Sequence, residues 1–183
     1  MGFSWDEARA ELETRRQLAM GLGGPEAVAK QHRQGRLTIR ERLDRLCDPG
    51  SFTEIGTLAQ IHEIDADGKP LPPKPSTFVC GLAKVDGRFA AVGGEDYTVA
   101  QGMPTLAYLD RPKGEIGGFI EDLAHEYRIP LMYCLEGVGG GVAIQQQKGH
   151  STIVSNVPFR RSYELLGEVP VLSAAMGIAA GGV

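Results

Sequence analysis

Glycine is the residue type in this sequence whose spacing most suggests chemistry. Twenty-five of the 183 residues are glycine, about twice the usual share, with no collagen-like period of three. Two clusters follow apolar segments of strand length. They comprise Gly137, Gly139, Gly140 and Gly141, and then Gly177, Gly181 and Gly182. Backbone amides in such segments can hold a developing anion, such as a thioester enolate, and glycine lets a ligand approach the main chain closely.

A second interpretation of the same glycines is that they only allow helices to pack closely on a sheet. The sequence alone favours neither of the two interpretations. Both clusters stand where parallel sheets place ligands, at the carboxyl ends of strands.

Familiar catalytic motifs are absent. Lys148-Gly149 reverses the order of a phosphate-binding loop, Val142 occupies the third glycine position of a dinucleotide fingerprint, and there is no Gly-x-Ser-x-Gly. The four histidines show no metal spacing, so no metal site is expected.

The three cysteines, Cys47, Cys80 and Cys134, lie far apart and form no Cys-x-x-Cys pair. They therefore predict neither a disulfide framework nor a thiolate metal site, and reduced thiols are typical of a cytoplasmic protein. The sequence does not exclude a Cys–His nucleophilic pair. Isolated strand cysteines such as Cys80 and Cys134, however, are more often small buried apolar residues.

Composition indicates one soluble globular domain, with 42% hydrophobic and 23% charged residues. The net charge of −4 argues against nucleic acid as the main partner. No apolar run reaches the 18 or so residues of a membrane span, and Met1 to Glu13 lacks the apolar core of a signal peptide. A cytoplasmic location is expected.

Three helices are predicted at the start of the chain, over 5–20, 25–34 and 39–46. Capping boxes mark the first and the third, and a proline opens the second. Between Lys30 and Arg45, six Lys or Arg residues stand against two acids. A solvated face, with partners such as Arg40 and Asp44, is favoured over a phosphate or partner-chain contact.

The elements that must position the glycines follow. A short strand is predicted over 52–55, a hairpin over 78–93 around Asp86-Gly87, and a further extended piece over 97–100. Helices over 112–128 and 158–166 then alternate with apolar strands over 131–135 and 169–175. This order is typical of crossover units in a parallel sheet, so the fold class is α/β.

The last seven residues, 177–183, have the character of a first helical turn with nothing after it. A fold rarely stops at such a point, so we expect the chain to be the front part of a longer protein. Expressed alone, it should expose the apolar edge from Val169 to Val183 and self-associate.

Three blocks of sequence carry a family resemblance, in the correct order over residues 26 to 183. The first runs Lys30-Gln31-His32-x-x-Gly35-Arg36-Leu37-Thr38-x-Arg40-Glu41-Arg42-Leu43 and continues to Asp48-Pro49-Gly50-Ser51-Phe52-x-Glu54. The second is Val85-Asp86-Gly87-Arg88 with Glu95-Asp96-Tyr97-Thr98-Val99, and the third is Val169-Pro170 with Ser173, Met176-Gly177 and Ala180-Gly181-Gly182. Together they resemble the carboxyltransferase (beta) subunits of biotin-dependent acyl-CoA carboxylases, of the propionyl-CoA carboxylase type.

The resemblance implies a crotonase-like (ClpP/crotonase) fold of stacked ββα units, truncated here, with an N-terminal helical arm. The arm would be residues 1–50, and residues 51–183 would form an incomplete N-terminal half of the carboxyltransferase domain. It also implies acyl-CoA as substrate, biotin as carboxybiotin on a separate carrier, a biotin carboxylase/biotin carrier subunit as partner, and a homo-oligomer with the active site between halves of two chains.

For single residues, the resemblance implies that the amides of Gly181 and Gly182 hold the oxygen of the acyl-CoA enolate. Gly139, Gly140, Gly177 and Ala180 are the expected substrate-binding residues. In the implied reaction, carboxybiotin releases CO2, the freed ureido nitrogen removes the α-proton, and the enolate attacks CO2. No protein base is required, in agreement with the absence of one from the motifs.

Two segments depart from the family pattern. Gly177-Ile178-Ala179 stands where many members have Gly-Pro-Cys, and Glu136 to Gly141 stands where many have Asp-Ser-Gly-Gly-Ala-Arg. The arginine has no counterpart here, which points to an unusual acyl-CoA. Two alternatives stay open: a biotin-dependent acyl-CoA decarboxylase subunit, and a catalytically silent CoA-binding or assembly module.

Overall fold

A mixed β-sheet lies at the centre of the protein. The computed structural model describes residues 4–61, 65–102, 119–138 and 160–180. In these ranges the strands are β1 (Thr53–Ile55), β2 (Gln60–Ile61), β3 (Lys74–Pro75), β4 (Phe78–Val85), β5 (Arg88–Glu95), β6 (Leu131–Val138) and β7 (Val171–Ala180). Five of them form one sheet in the order β1-β4-β5-β6-β7, and β2 and β3 form a separate antiparallel pair.

The sheet is antiparallel on one side and parallel on the other. β4 pairs antiparallel with β1 and β5, whereas β6 runs parallel to both β5 and β7. The predicted hairpin is confirmed. Asp86 and Gly87 both have positive φ, 49° and 76°, as the favoured two-residue turn requires. The predicted parallel strands over 131–135 and 169–175 are also present as β6 and β7. Both continue past their predicted ends, to Val138 and Ala180, and β7 begins at Val171, two residues later than predicted.

Five helices are described: α1 (Trp5–Met20), α2 (Pro25–Arg33), α3 (Ile39–Leu46), α4 (Phe119–Tyr127) and α5 (Arg160–Leu166). The first three match the predicted ones closely. α2 begins at Pro25 without a side-chain cap, α1 shows one bond of its predicted capping box, and α3 shows both bonds of its own. The Ser4 side chain accepts from the Glu7 amide, and Thr38 and Glu41 make both bonds of a capping box. The predicted starts of the two later helices, at Pro112 and Pro158, lie outside the described residues.

Two predicted elements are wrong. Residues 97–100 are not extended. The Asp96 carboxylate accepts from both the amide and the hydroxyl of Thr98, which folds the chain into a turn that leads into a 3-10 helix at Ala100–Gly102. The second wrong element is the helical turn expected over residues 177–183. Residues 177–180 belong to β7 instead, because this strand stays paired with β6 up to Ala180.

Helices cover both faces of the sheet. On one face, Leu22, Ile39 and Leu43 of the N-terminal segment pack with strand residues such as Val92 and Cys134. On the other, Ile120 and Ala124 of α4 and Leu165 of α5 form a second apolar cluster. Two glycines of β5 allow this close approach, since a Cβ at Gly94 would lie 2.7 Å from Ile39 Cδ1 and one at Gly93 would lie 2.9 Å from Ile120 Cδ1.

The edge strand β7 is the exposed part of the described sheet. Residues 172–180 are all exposed, and they include the apolar side chains of Leu172, Met176 and Ile178. Among the described residues, no helix is long and apolar enough to cross a membrane.

Candidate functional site

The parallel strands β6 and β7 bring the two predicted glycine clusters toward one place. Val138 and Ala180 are the last described residues of these strands, and they are partners in the sheet. The chain therefore enters both clusters from neighbouring positions at the carboxyl ends of parallel strands, where α/β proteins bind ligands. Of the predicted site residues, Gly177 and Ala180 lie on β7, and Gly139, Gly140, Gly181 and Gly182 lie outside the described residues.

Gly177 stands at an irregularity between β6 and β7. Leu135 pairs with Ala175, and the next pair is Gly137 with Ala179, so two steps along β6 correspond to four along β7. The surplus residues of β7 lie opposite Glu136. A Cβ at Gly177 would be 2.2 Å from Glu136 Oε1 and 2.6 Å from its Cδ. The Glu136 carboxylate thus fills the space that a side chain at position 177 would need.

Glu136 is a fully buried carboxylate held by three side chains of the N-terminal segment. Arg36 Nη1 donates to Oε1 at 2.6 Å and Gln31 Nε2 donates to Oε2 at 2.8 Å, while Arg42 Nη2 also donates to Oε2. Glu136 is 0% exposed. A buried charge of this kind is tolerated only when paired and hydrogen-bonded, and this one has both.

The arginines of this cluster make further contacts. The guanidinium of Arg36 lies 4.7 Å from the centroid of the Tyr97 ring, a cation–π distance. The side chain of Arg42 is 6% exposed, and that of Arg36 is 17% exposed. The N-terminal segment, the turn after β5 and the end of β6 are therefore joined by one set of contacts around Glu136.

The basic segment 30–45 differs in part from its favoured interpretation as a solvated face. Lys30, Arg33 and Arg45 are exposed, as expected. Arg36 and Arg42 bind Glu136, and Arg40 binds Glu54 of β1 at 2.6 and 3.0 Å, rather than Asp44. The three arginines that face inward engage carboxylates of the sheet.

Asp96 is a second fully buried acid at this end of the sheet. Burial raises the pKa of its carboxyl group, and the hydrogen bonds from Thr98 and the charges of Arg40 and Arg42 act in the opposite direction. Thr98 Oγ1 in turn accepts from the Gly23 amide at 2.9 Å. The turn between α1 and α2 is thereby fixed to the turn after β5.

The cysteines behave as the sequence predicts. All three are buried, and no disulfide joins them. Burial, above all other causes, raises the pKa of the Cys47 thiol to about 11, and burial also raises that of Cys134. Thiolate nucleophiles need a lowered pKa, so neither of these two thiols suits nucleophilic catalysis. Among the described residues, no group of three or more His, Cys, Asp or Glu could hold a metal ion.

Sequence reasoning missed the Glu136 cluster, although it noted the segment that begins at Glu136. A usable signal was present, because Glu136 is a lone charge at the end of an apolar strand and such a charge needs a buried partner. The partners could not be read from the sequence, since Arg36 is 100 residues and Arg42 is 94 residues away along the chain.

The comparison with protein families decides what kind of domain this is. The model of the carboxyl transferase domain matches residues 30–183. The chain belongs to the carboxyl transferase domain family. The resemblance to acyl-CoA carboxylase beta subunits is thus confirmed, and it rests on most of the chain.

This carboxyl transferase domain has relatives among named carboxylase subunits. It is 34% identical over 173 residues to the propionyl-CoA carboxylase beta chain of Saccharopolyspora erythraea, covering 94% of this chain and 30% of that one. It is 32% identical over 173 residues to the biotin-dependent acetyl-/propionyl-coenzyme A carboxylase beta5 subunit of Mycobacterium tuberculosis, with the same two coverages. The chain spans about a third of the length of these relatives.

Solved structures share the fold. A transcarboxylase 12S structure, described as a hexamer assembly with hydrolyzed methylmalonyl-coenzyme A bound, superposes with a TM-score of 0.69 at 26% identity, covering 99% of this chain and 34% of that one. A single-chain, multi-domain long-chain acyl-CoA carboxylase gives a TM-score of 0.63 at 30% identity, covering 94% of this chain and 17% of that one. The α/β fold of the carboxyl transferase domain is therefore established for this chain.

Proposed function

We propose that this chain forms the acyl-CoA side of a carboxyltransferase active site that moves a carboxyl group from carboxybiotin to the α-carbon of an acyl-CoA. One observation carries the proposal: in a chain of this family, Val138 and Ala180, which lie within the two glycine clusters, pair side by side at the carboxyl ends of parallel strands. Main-chain donors at this position suit the oxygen of a thioester enolate.

The surroundings support a site built from backbone. From Ala174 to Ala180, β7 carries mostly small side chains and is exposed along its length. Its main chain is therefore accessible to a long, thin ligand such as the pantetheine arm of CoA. Glu136, the acid that lies against Gly177 of this strand, is buried and hydrogen-bonded, and it is not placed as a general base.

In the proposed reaction, the amides of Gly181 and Gly182 hold the enolate oxygen, and Gly139, Gly140, Gly177 and Ala180 line the acyl-CoA site. Carboxybiotin on a separate carrier, when bound, supplies CO2 and the ureido nitrogen that accepts the α-proton. The role of this chain is to bind the thioester and to stabilise negative charge on its oxygen, for which preorganised amides are well suited.

The proposal includes the finer architecture. A pair of antiparallel strands, β4 and β5, followed by α4 and then the parallel strand β6, supports a crotonase-like fold of ββα units. Residues 1–50 form the helical arm, and residues 51–183 form part of the N-terminal half of a carboxyltransferase domain. The expected partners are a biotin carboxylase/biotin carrier subunit and further copies of the same protein.

A label-transfer assay tests the function. The native protein, combined with a biotinylated carrier and biotin carboxylase, is given radiolabelled bicarbonate, ATP and one acyl-CoA from a series that differs in chain length. We expect acid-stable label in at least one acyl-CoA, abolished by avidin. Binding of acyl-CoA by calorimetry without label transfer to any member of the series would contradict a carboxyltransferase and favour a silent CoA-binding module.

A further inference from the structure

The Glu136 cluster poses a question that packing alone does not answer. A buried ion pair adds little to stability compared with well-packed apolar residues of the same volume. This protein nevertheless buries a carboxylate and two arginines, Arg36 and Arg42, at the end of an otherwise apolar strand. What such a cluster can supply is a fixed position for the groups around it.

The irregular part of β7 lies directly beside this cluster. Three residues, Met176, Gly177 and Ile178, lie between the pairs that flank Glu136, and the carboxylate occupies the space beside Gly177. The next pairs are Gly137 with Ala179 and Val138 with Ala180. Gly181 and Gly182 come directly after Ala180 in the chain.

We propose that Glu136 is a positioning residue: held by Arg36 and Arg42, its carboxylate maintains the irregular register of β7 and so sets where the chain leaves Ala180. The effect on catalysis rests on the proposed function, because it requires that the amides after Ala180 act on the substrate. The effect on the register of β7 does not depend on that function.

The direction of the effect follows from transition-state geometry. Donors that are displaced by about 1 Å from the developing oxyanion can lower a rate about 100-fold, even when the substrate still binds. Loss of Glu136 should therefore lower kcat more than it raises KM for acyl-CoA. If the cluster only joined the arm to the sheet, its loss would not be expected to lower kcat more than it raises KM.

A matched control is available in the same arm. Arg40 of α3 binds Glu54 of β1, an ion pair that also joins the arm to the sheet but lies at the opposite edge from β7. In the native protein, Glu136→Gln is expected to lower kcat by about 10-fold to 100-fold, whereas Glu54→Gln should leave kcat within about twofold at a temperature where both variants are folded.

Hydrogen–deuterium exchange of peptides from residues 171–180 gives a readout without activity. We expect faster exchange there in Glu136→Gln and no change in Glu54→Gln. If the native protein transfers no carboxyl group to any acyl-CoA, the proposed function fails. The exchange rates of these peptides then decide whether Glu136 maintains the register of β7. Equal exchange of these peptides in the two variants, or equal losses of kcat, would overturn it.

A double-mutant cycle tests the contact itself and does not require Glu136→Gln to fold. In the wild-type background, Gly177→Ala places a methyl group against the carboxylate and should speed exchange in residues 171–180. In the Glu136→Ala background the colliding atoms are gone, so the same substitution should add little. An equal effect of Gly177→Ala in both backgrounds would show that Glu136 does not hold this part of β7.

Discussion

At the scale of single residues, buried charges determine how the N-terminal segment is attached. Arg42 is almost fully buried against Glu136, so Arg42→Ala leaves that carboxylate short of one charged donor. We expect the free energy of unfolding to fall by about 3 kcal/mol, because breaking a buried pair costs about 3–5 kcal/mol. Urea denaturation measures it.

Arg15→Ala is the matched control for this prediction. Arg15 binds Glu11 one turn away on the exposed surface of α1, and such pairs contribute about 0.5 kcal/mol or less. Losses of similar size in the two variants would show that the cluster around Glu136 does not behave as a buried ion pair.

The cysteines give a second prediction at this scale. With the pKa of Cys47 raised to about 11 and that of Cys134 also raised by burial, few thiolates form near pH 8. In the native protein, iodoacetamide should leave Cys47, Cys80 and Cys134 unmodified, and it should modify all three in denaturant. Peptide mass mapping checks this. Rapid modification of Cys47 or Cys134 before unfolding would contradict the burial and raised pKa described for them.

Burial of the cysteines was predictable, and the role of Glu136 was not. Isolated cysteines in apolar strands are usually core residues, a rule that needs no knowledge of the partners. The position of Glu136 depends on arginines about 100 residues earlier in the chain. The same limit applies to Gly177, because its close neighbour is a side chain of another strand.

At the scale of elements, the capping box of Thr38 and Glu41 begins helix α3, and Glu41 also contacts His32. Hydrogen bonding to His32, the largest cause, lowers the pKa of Glu41 to about 2. Because this pKa in the folded state lies below the ordinary value of 4.5, the stability that ionised Glu41 contributes is complete above that value and is lost as the pH falls toward 2.

We therefore expect Glu41→Gln to destabilise the protein near neutral pH, and the difference from wild type to shrink on acidification below about pH 4. Denaturation curves at several pH values measure it. Glu26→Gln, in the first turn of α2, controls for the loss of a helix N-terminal charge. A Glu41→Gln difference that does not change with pH would argue against the His32 and Thr38 contacts of Glu41.

The elements that sequence reasoning predicted well carry their own signals. Caps and turn residues specify α1 to α3 and the β4–β5 hairpin locally. The end of β7 lacks such a signal. Its alanines are good helix formers, yet Gly177 to Ala180 form a strand because β6 offers a parallel partner there. Tertiary pairing overrides local propensity at this point.

At the scale of the whole molecule, we expect the exposed strand β7 to determine behaviour in solution. Leu172, Met176 and Ile178 are between 42% and 47% exposed on the edge strand of the described sheet, a combination that favours pairing with another chain. We expect the 183-residue chain, expressed alone, to self-associate at micromolar concentration.

Light scattering across a dilution series measures this association. Ile178→Lys, which places a charge on the exposed strand, should weaken it, whereas Lys30→Glu on the exposed side of α2 should not. A monodisperse monomer at all concentrations would contradict the prediction.

We propose that main-chain amides after Ala180, and not an ionisable side chain, stabilise the enolate. The most direct measurement is kcat for carboxyl transfer in the native protein and in Gly182→Asp, with acyl-CoA affinity measured in parallel by calorimetry. Gly167→Asp is the control, since Gly167 is exposed and, within the described ranges, an added Cβ would meet nothing closer than 3.7 Å. We predict that Gly182→Asp lowers kcat by about 100-fold to 1000-fold while Gly167→Asp leaves it unchanged. Equal kcat values in all three proteins would show that the amides after Ala180 do not stabilise the enolate.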